Sequence, residues 1–401
     1  MSEHEHTPTA VDDGPEPADA IASPAPIDAG PDAEDLRPAW SNPDARDDTP
    51  RTGIDTTGPL TPAASTHAPA PQPMPTPQPV PAEHTQQPSP PAAHENEPTA
   101  QADEAATEQV APEEDPGPPT LPKLDRLPRP QEPRLIALIN QKGGVGKTTT
   151  TVNLGAALAA SGLRVLMIDL DPQAHLTLSL GIDPETVELS IYDLLTDRDV
   201  TASEVVRMVE SSPNLGVLPA ETNLAGVESE LAEMVATGLA QTILRNKTAD
   251  LIKHFDYVLL DCPPSLGLLT INGLTAAKEI IVPMQAHFLA LQGMGKLFET
   301  INMIRQGINP SLTVAGVVLC MHEANTILAS DVVADVEGFF EEARGTSLPW
   351  ANAEVYDPPI RRNIKLAEAP SFGQSVLTYA SESNGAKDYA KLARSVAKAA
   401  V

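Results

Sequence analysis

The chain has 401 residues, with 26 Lys+Arg against 55 Asp+Glu, a formal net charge of -29, 42 prolines and 2 cysteines. That balance excludes a protein whose overall field binds nucleic acid constitutively, so any DNA contact must come from a local basic patch. Cys262 and Cys320 lie in separate apolar segments and supply neither a disulfide framework nor a C-x-x-C metal pair.

No apolar run approaches the roughly 18 residues that a membrane span requires, and the start MSEHEHTPTA has no signal-peptide pattern. The expectation is a soluble, cytoplasmic protein. Residues 1–130 read as a disordered, Pro-rich acidic tail, since they carry 29 of the 42 prolines and 24 acidic side chains against 6 basic ones. Runs such as Ala70-Pro71-Gln72-Pro73 favour polyproline II, and few large apolar residues are present to offset the entropy of ordering. The end of the tail, Pro122 to Pro133, turns locally basic through Lys123, Arg126 and Arg129, a stretch expected to touch the folded domain or DNA.

Residues 131–401 form the expected folded domain. Strand signals at Leu135–Ile139, Val165–Ile168, Leu215–Leu218, Val258–Leu260, Ile280–Val282 and Val314–Leu319 alternate with helical signals. The helices are expected over Thr148–Ser161, Glu221–Lys253, Leu266–Ala277, Leu289–Gln306, Leu328–Ala343 and Ala386–Ala399. Most strands are apolar on both faces, which predicts an α/β domain with a mostly parallel sheet covered by helices on both sides.

The first strand runs into Gln141-Lys142-Gly143-Gly144-Val145-Gly146-Lys147-Thr148-Thr149, which opens the first helix. Strand, glycine turn and helix are the context that makes a phosphate loop. The glycines let backbone N–H groups converge on an anion, and the helix N-terminus adds positive potential. Lys147 is expected on the outer phosphates and the Thr148 hydroxyl on Mg²⁺. Lys142 is a second lysine with no packing reason to sit in a tight turn.

The second strand ends in Asp169-Leu170-Asp171-Pro172-Gln173, at the end of the strand where ligands sit in open α/β sheets. Alone, that pair reads as readily as one solvated loop acid and one helix cap as it does as a cation or water site; beside a phosphate loop the second reading leads. A third motif, Val258-Leu259-Leu260-Asp261-Cys262-Pro263-Pro264, places an aspartate directly after an apolar strand, the Walker B arrangement that holds Mg²⁺.

Together these stretches resemble the ParA/Soj branch of the deviant-Walker P-loop ATPases, the ParA/MinD superfamily. A late segment, Arg361-Arg362-Asn363-Ile364-Lys365-Leu366-Ala367-Glu368-Ala369-Pro370-Ser371, is similar to that branch's R-N-x-[RK]-x-x-E-A-P-S signature. The resemblance implies ATP and Mg²⁺ as cofactors, held by Lys142, Gly143, Gly144, Val145, Gly146, Lys147, Thr148 and Thr149, with Asn363 near the base. It implies Thr148, Asp169 and Asp261 around the metal, and Lys142, Lys147 and Asp171 in hydrolysis. Lys142 is implied to reach the phosphates bound by the partner subunit. It further implies an ATP-sandwich homodimer that binds DNA non-specifically through Arg361, Arg362 and Lys365, associates with the nucleoid, and is stimulated by a ParB-like partner. The chain departs from the family at Ala174-His175, where Gly-Asn is usual, and at Asn325, where many relatives carry a DNA-contacting arginine.

Three other readings compete. A MinD-like membrane-surface ATPase needs a C-terminal amphipathic helix with large apolar residues, and the alanine-rich end here offers little area to bury. An iron–sulfur carrier needs cysteines at a dimer interface. A ParA-like ATPase that positions a protein cargo has no distinguishing residue.

Overall fold

The computed structural model describes residues 119–286, 288–323 and 327–398; the expected tail up to residue 118, and Asn325, lie outside them. The strands are β1 (Arg134–Leu138), β2 (Val165–Asp169), β3 (Arg207–Met208), β4 (Leu215–Leu218), β5 (Tyr257–Asp261), β6 (Glu279–Met284), β7 (Thr313–Leu319) and β8 (Glu354–Val355). Among the described residues they form one sheet in the order β3-β4-β2-β5-β1-β6-β7-β8. Every pairing is parallel except β3 with β4.

The six apolar runs are all strands, buried along nearly their whole length. Successive side chains feed opposite faces, as the pleat requires. Ile136 and Leu138 join Met167, Leu259 and Ile281 beneath helix α1 (Lys147–Ala160) and the helix Asn384–Lys398. Ala137 and Ile139 join Ile168 and Leu260 on the other face, under the helices Leu268–Ala276, Phe288–Gly307 and Ile327–Glu342. Because the helix Asn384–Lys398 covers α1 from outside through Tyr389, Leu392 and Val396, α1 is buried nearly all round. Its polar residues Thr150, Thr151 and Asn153 are therefore interior groups with specific partners.

Arg134 fastens this arrangement at the opposite end from the phosphate loop. Its guanidinium donates to both carboxylate oxygens of Glu279 on β6, to the Tyr257 hydroxyl on β5 and to the Val396 carbonyl of the covering helix.

Two expectations change. The single helix expected over Glu221–Lys253 is a series of short turns, including Val227–Glu230, Ala232–Ala236 and Ile243–Thr248. Gly238 sits at φ 76, a left-handed conformation that ends a helix. The edge strands β3 and β8 have two residues each, too few for any periodic signal.

Residues 119–133 carry no strand or helix but run along the domain. The backbone N–H groups of Leu121, Leu124 and Leu127 donate to Ser211, Ala160 and Ser161 carbonyls, and all three side chains pack against the core beneath α1. The three-residue spacing keeps one face on the protein, as an extended polyproline-like segment does. Asp125 pairs with Arg394, and Arg129 with Asp256, so this stretch contacts the domain.

Candidate active site

Strand register assembles the site. Asp169 and Asp261 are direct partners on β2 and β5, and Leu138 on β1 is the partner of the same Asp261. The phosphate loop, the first aspartate motif and the Walker B aspartate therefore meet at the carboxyl ends of three adjacent strands, with Asp261 in the middle. Asn140 fixes the start of the loop by donating to the Pro283 carbonyl while accepting from the Lys142 N–H. Gln285 donates to the Gly144 carbonyl from the β6 side.

The loop has the form an anion needs. Gly144 (φ 72) and Gly146 (φ 96) hold left-handed conformations that only glycine adopts freely. A Cβ on Gly143 or Gly144 would project into open space within 4 Å, so the concave side of the loop is clear. Helix α1 begins with no side-chain cap, leaving its first N–H groups for a ligand. Lys147 is only 7% exposed, and its ammonium donates no hydrogen bond to a described residue. Burial pushes its pKa below the usual lysine value, against the pull of Asp261 and Asp171. A buried ammonium facing an open loop fits a phosphate.

Asp261 accepts from the Thr148 hydroxyl at 2.6 Å and from the Thr151 hydroxyl at 3.0 Å. Burial, then the adjacent Asp169, pushes its carboxyl up to about 7, and burial pushes Asp169 up to about 6. The two carboxyls are raised even with Lys147 close to Asp261, so a further positive charge is favoured there, and Thr148 and Asp261 fit a divalent cation. Thr151 was not singled out in the sequence, although it lies one helical turn from Thr148 and so shares its face.

Asp169 has protein partners of its own. It is fully buried; one oxygen accepts from both the N–H and the hydroxyl of Thr177, and the other from the Asp171 N–H. Through these bonds Asp169 orders the loop that follows β2, while its place beside Asp261 keeps it next to the cation site. Asp171 remains half-buried at the mouth of the site, its carboxylate accepting from the Gln173 N–H. Thr177, a residue the motif did not flag, also accepts from the Ala220 N–H and ties this loop to β4.

Between Asp171 and the short helix α2 (His175–Ser179), Ala174 adopts φ 51, ψ 29. A side chain there costs about 1–2 kcal/mol relative to glycine, offset in part by the greater unfolded-state freedom glycine brings. Because the Ala174 methyl is also buried in the core, Ala174→Gly is expected to change stability by less than about 1 kcal/mol in a denaturant melt.

Beyond the loop lies a mainly apolar cavity of about 390 Å³, lined by Gly146, Thr149, Ile360, Asn363, Leu366 and Tyr389 among others. Asn363 caps the helix Ile364–Glu368 by accepting from the Lys365 N–H, so its amide lies on the cavity wall. Lys142 is exposed, and its side chain makes no hydrogen bond or ion pair with a described residue.

The basic segment is less free than its sequence implies. Arg361 is committed to the buried Asp388, which accepts from its backbone N–H, Nε and Nη2. Arg362 pairs with Glu323 and Lys365 with Glu368, both at the surface. Both cysteines are buried, and burial pushes their thiols up, Cys320 to about 11. Among the described residues no cluster of three His, Cys, Asp or Glu side chains is arranged to hold a metal, and no helix is long and apolar enough to cross a membrane.

Comparison with known proteins agrees with this geometry. Residues 133–314 match the family described as AAA domain. The sporulation initiation inhibitor protein Soj of Bacillus subtilis is 40% identical over 264 residues, which cover 66% of this chain and 98% of that protein. The chain belongs to the ParA/Soj family of chromosome-partitioning ATPases. The chromosome partitioning protein ParA of Caulobacter vibrioides is 42% identical over 265 residues, covering 66% of this chain and 93% of that one. A Mycobacterium smegmatis structure named cobyrinic acid a,c-diamide synthase, with an ATP analogue and magnesium bound, is 38% identical with a TM-score of 0.55. That match spans 66% of this chain and 93% of the other. The mostly parallel sheet and the hydrolytic class expected from the motifs are thus those of the family: the protein is a partitioning ATPase.

Proposed function

We propose that the protein binds ATP–Mg²⁺ between two copies of itself, holds DNA non-specifically in that state, and is reset by hydrolysis stimulated by a ParB-like partner. The observation that carries this reading is the pair of lysines in one loop. Lys147 is buried at the start of α1, while Lys142, five residues earlier, is exposed and without a side-chain partner among the described residues. A cation so placed suits phosphates held by a second subunit. Magnesium supplies charge neutralisation on the transferring phosphoryl group. Thr148 and Asp261 hold it, Lys147 neutralises the outer oxygens, and Asp171 places the attacking water at the mouth of the site. The apolar cavity beside Asn363 takes the base.

Arg362 and Lys365 are the phosphate-contacting cations in this reading, and nucleoid association follows from them. Arg361, by contrast, secures the segment to Asp388. A membrane-surface role is disfavoured because the apolar residues of the helix Asn384–Lys398 are buried against α1. A protein cargo has no observation in its favour.

The test is binding to non-specific duplex DNA and, in parallel, to anionic liposomes, with and without ATP–Mg²⁺. DNA binding is expected only with ATP–Mg²⁺. Arg362→Ala is expected to weaken it and to flatten the salt dependence by about one contact per subunit, with an unchanged thermal midpoint. Arg361→Ala is expected to lower the thermal midpoint by several degrees, because it leaves a buried carboxylate unpaired. Liposome binding without DNA binding would refute the proposal.

A further inference from the structure

The segment bearing the basic cluster is gripped from two sides, by α1, which opens at the phosphate loop, and by the residues that follow α2, which itself follows the Asp171 loop. On one side, the buried Asn153 of α1 donates to the Thr149 carbonyl in the first turn and accepts from the Val376 N–H at 2.7 Å. On the other side, Gly181 (φ 80), two residues beyond α2, meets Gly373 (φ 62), the residue that closes the turn Ala369–Phe372.

The contact between those two glycines is backbone on backbone. A Cβ on Gly373 would lie 2.6 Å from the Gly181 Cα and 3.0 Å from its nitrogen, while one on Gly181 would lie 3.2 Å from the Gly373 oxygen. No flexible side chain sits between the two chains to absorb a displacement. Midway along, α2 is held through Thr177 by Asp169, and at its start Ala174 connects it to Asp171. The Ala174 N–H donates to the Asp171 carbonyl, so the Asp171 loop runs directly into α2, and the far side of α2 meets residue 373 through Gly181.

We infer that Gly373 is a positioning residue: through its contact with Gly181 it passes the state of the Asp171 loop to residues 361–376. The contact works because it is tight, and both partners are glycine because only glycine permits the approach at positive φ. The inference deepens the reading above, in which this segment carries the DNA contacts, and the DNA role rests on that reading.

The experiment is hydrogen exchange of residues 361–376 in the full chain, with and without ATP–Mg²⁺, in wild type, Gly373→Ala, Gly181→Ala and Gly345→Ala. Gly345 also has positive φ, at 75, but its added Cβ meets nothing within 4 Å, so it reports backbone strain without a clash. ATP–Mg²⁺ is expected to slow exchange of the segment severalfold in wild type and in Gly345→Ala. In Gly373→Ala the response is expected to disappear while ATP affinity is kept, and Gly181→Ala, with its milder clash, is expected to retain part of it. Should Gly373→Ala not fold, a response reduced in Gly181→Ala but not in Gly345→Ala supports the inference equally. A wild-type segment indifferent to ATP–Mg²⁺, or a full response in a folded Gly373→Ala, overturns it. DNA binding measured on the same proteins separates the two readings: a segment that responds in a protein that binds no DNA sinks the DNA proposal and leaves this coupling standing.

Discussion

Lys147→Ala is expected to raise the dissociation constant for ATP by at least about 100-fold, since hydrogen bonds from a charged donor contribute about 1.5–3 kcal/mol each and two outer phosphates lose theirs. The effect is large because the ammonium is desolvated before the ligand arrives. It lies 7% exposed beside Asp261 and Asp171 without a hydrogen-bonded partner, so its charge faces the phosphates through little water. Lys142→Ala is the informative contrast. Its side chain is exposed, so affinity at low protein concentration is expected to stay close to wild type while turnover at high concentration falls. Calorimetric titration with a non-hydrolysable ATP analogue, followed by phosphate release across a protein dilution series, checks both. Equal losses of affinity in the two variants would place both lysines on the same nucleotide and remove the argument for a second subunit.

Arg134→Ala is expected to be the most destabilising single substitution considered, by about 3–5 kcal/mol, because it strands Glu279 and leaves the Val396 carbonyl without its donor. For a domain of this size that corresponds to a fall in Tm of about 10 °C. The guanidinium is 8% exposed, and although burial works against its charge, the Glu279 carboxylate and Tyr257 hold its pKa above the ordinary arginine value. The site lies at the far end of the strands, so the folded fraction is expected to bind ATP normally. A thermal melt together with nucleotide affinity at low temperature checks this. A small loss of stability would mean that Arg134 is dispensable for holding the covering helix.

Much of the candidate site is legible in the sequence because its parts are local. A phosphate loop needs glycines at fixed offsets between a strand and a helix, and a Walker B carboxylate follows its strand directly, so residues 141–149 and Asp261 announce themselves. The six strands are legible for the same kind of reason: burial on both faces requires continuous apolar runs. The short elements are not legible. β3, β8 and α2 are too brief to show periodicity, and the stretch expected as one helix over Glu221–Lys253 is broken at turns such as Gly238.

The sequence by itself thus determined the fold class, the phosphate loop, the three motif aspartates and the family, all of which depend on neighbours within a few residues. Tertiary structure alone decided what those groups bond to. Asp169 and Asp171 look equivalent in the chain. Yet the first is sealed on Thr177 and the second faces the site, because β2 ends between them and only Asp169 is drawn into the sheet's interior. Arg361 and Arg362 are adjacent and chemically identical. One points at Asp388, 27 residues further on, and the other at the surface, because consecutive side chains leave an extended backbone in opposite directions. Gly181 and Gly373 carry no signal at all in the sequence, since each needs the other's backbone in place before a Cβ becomes impossible.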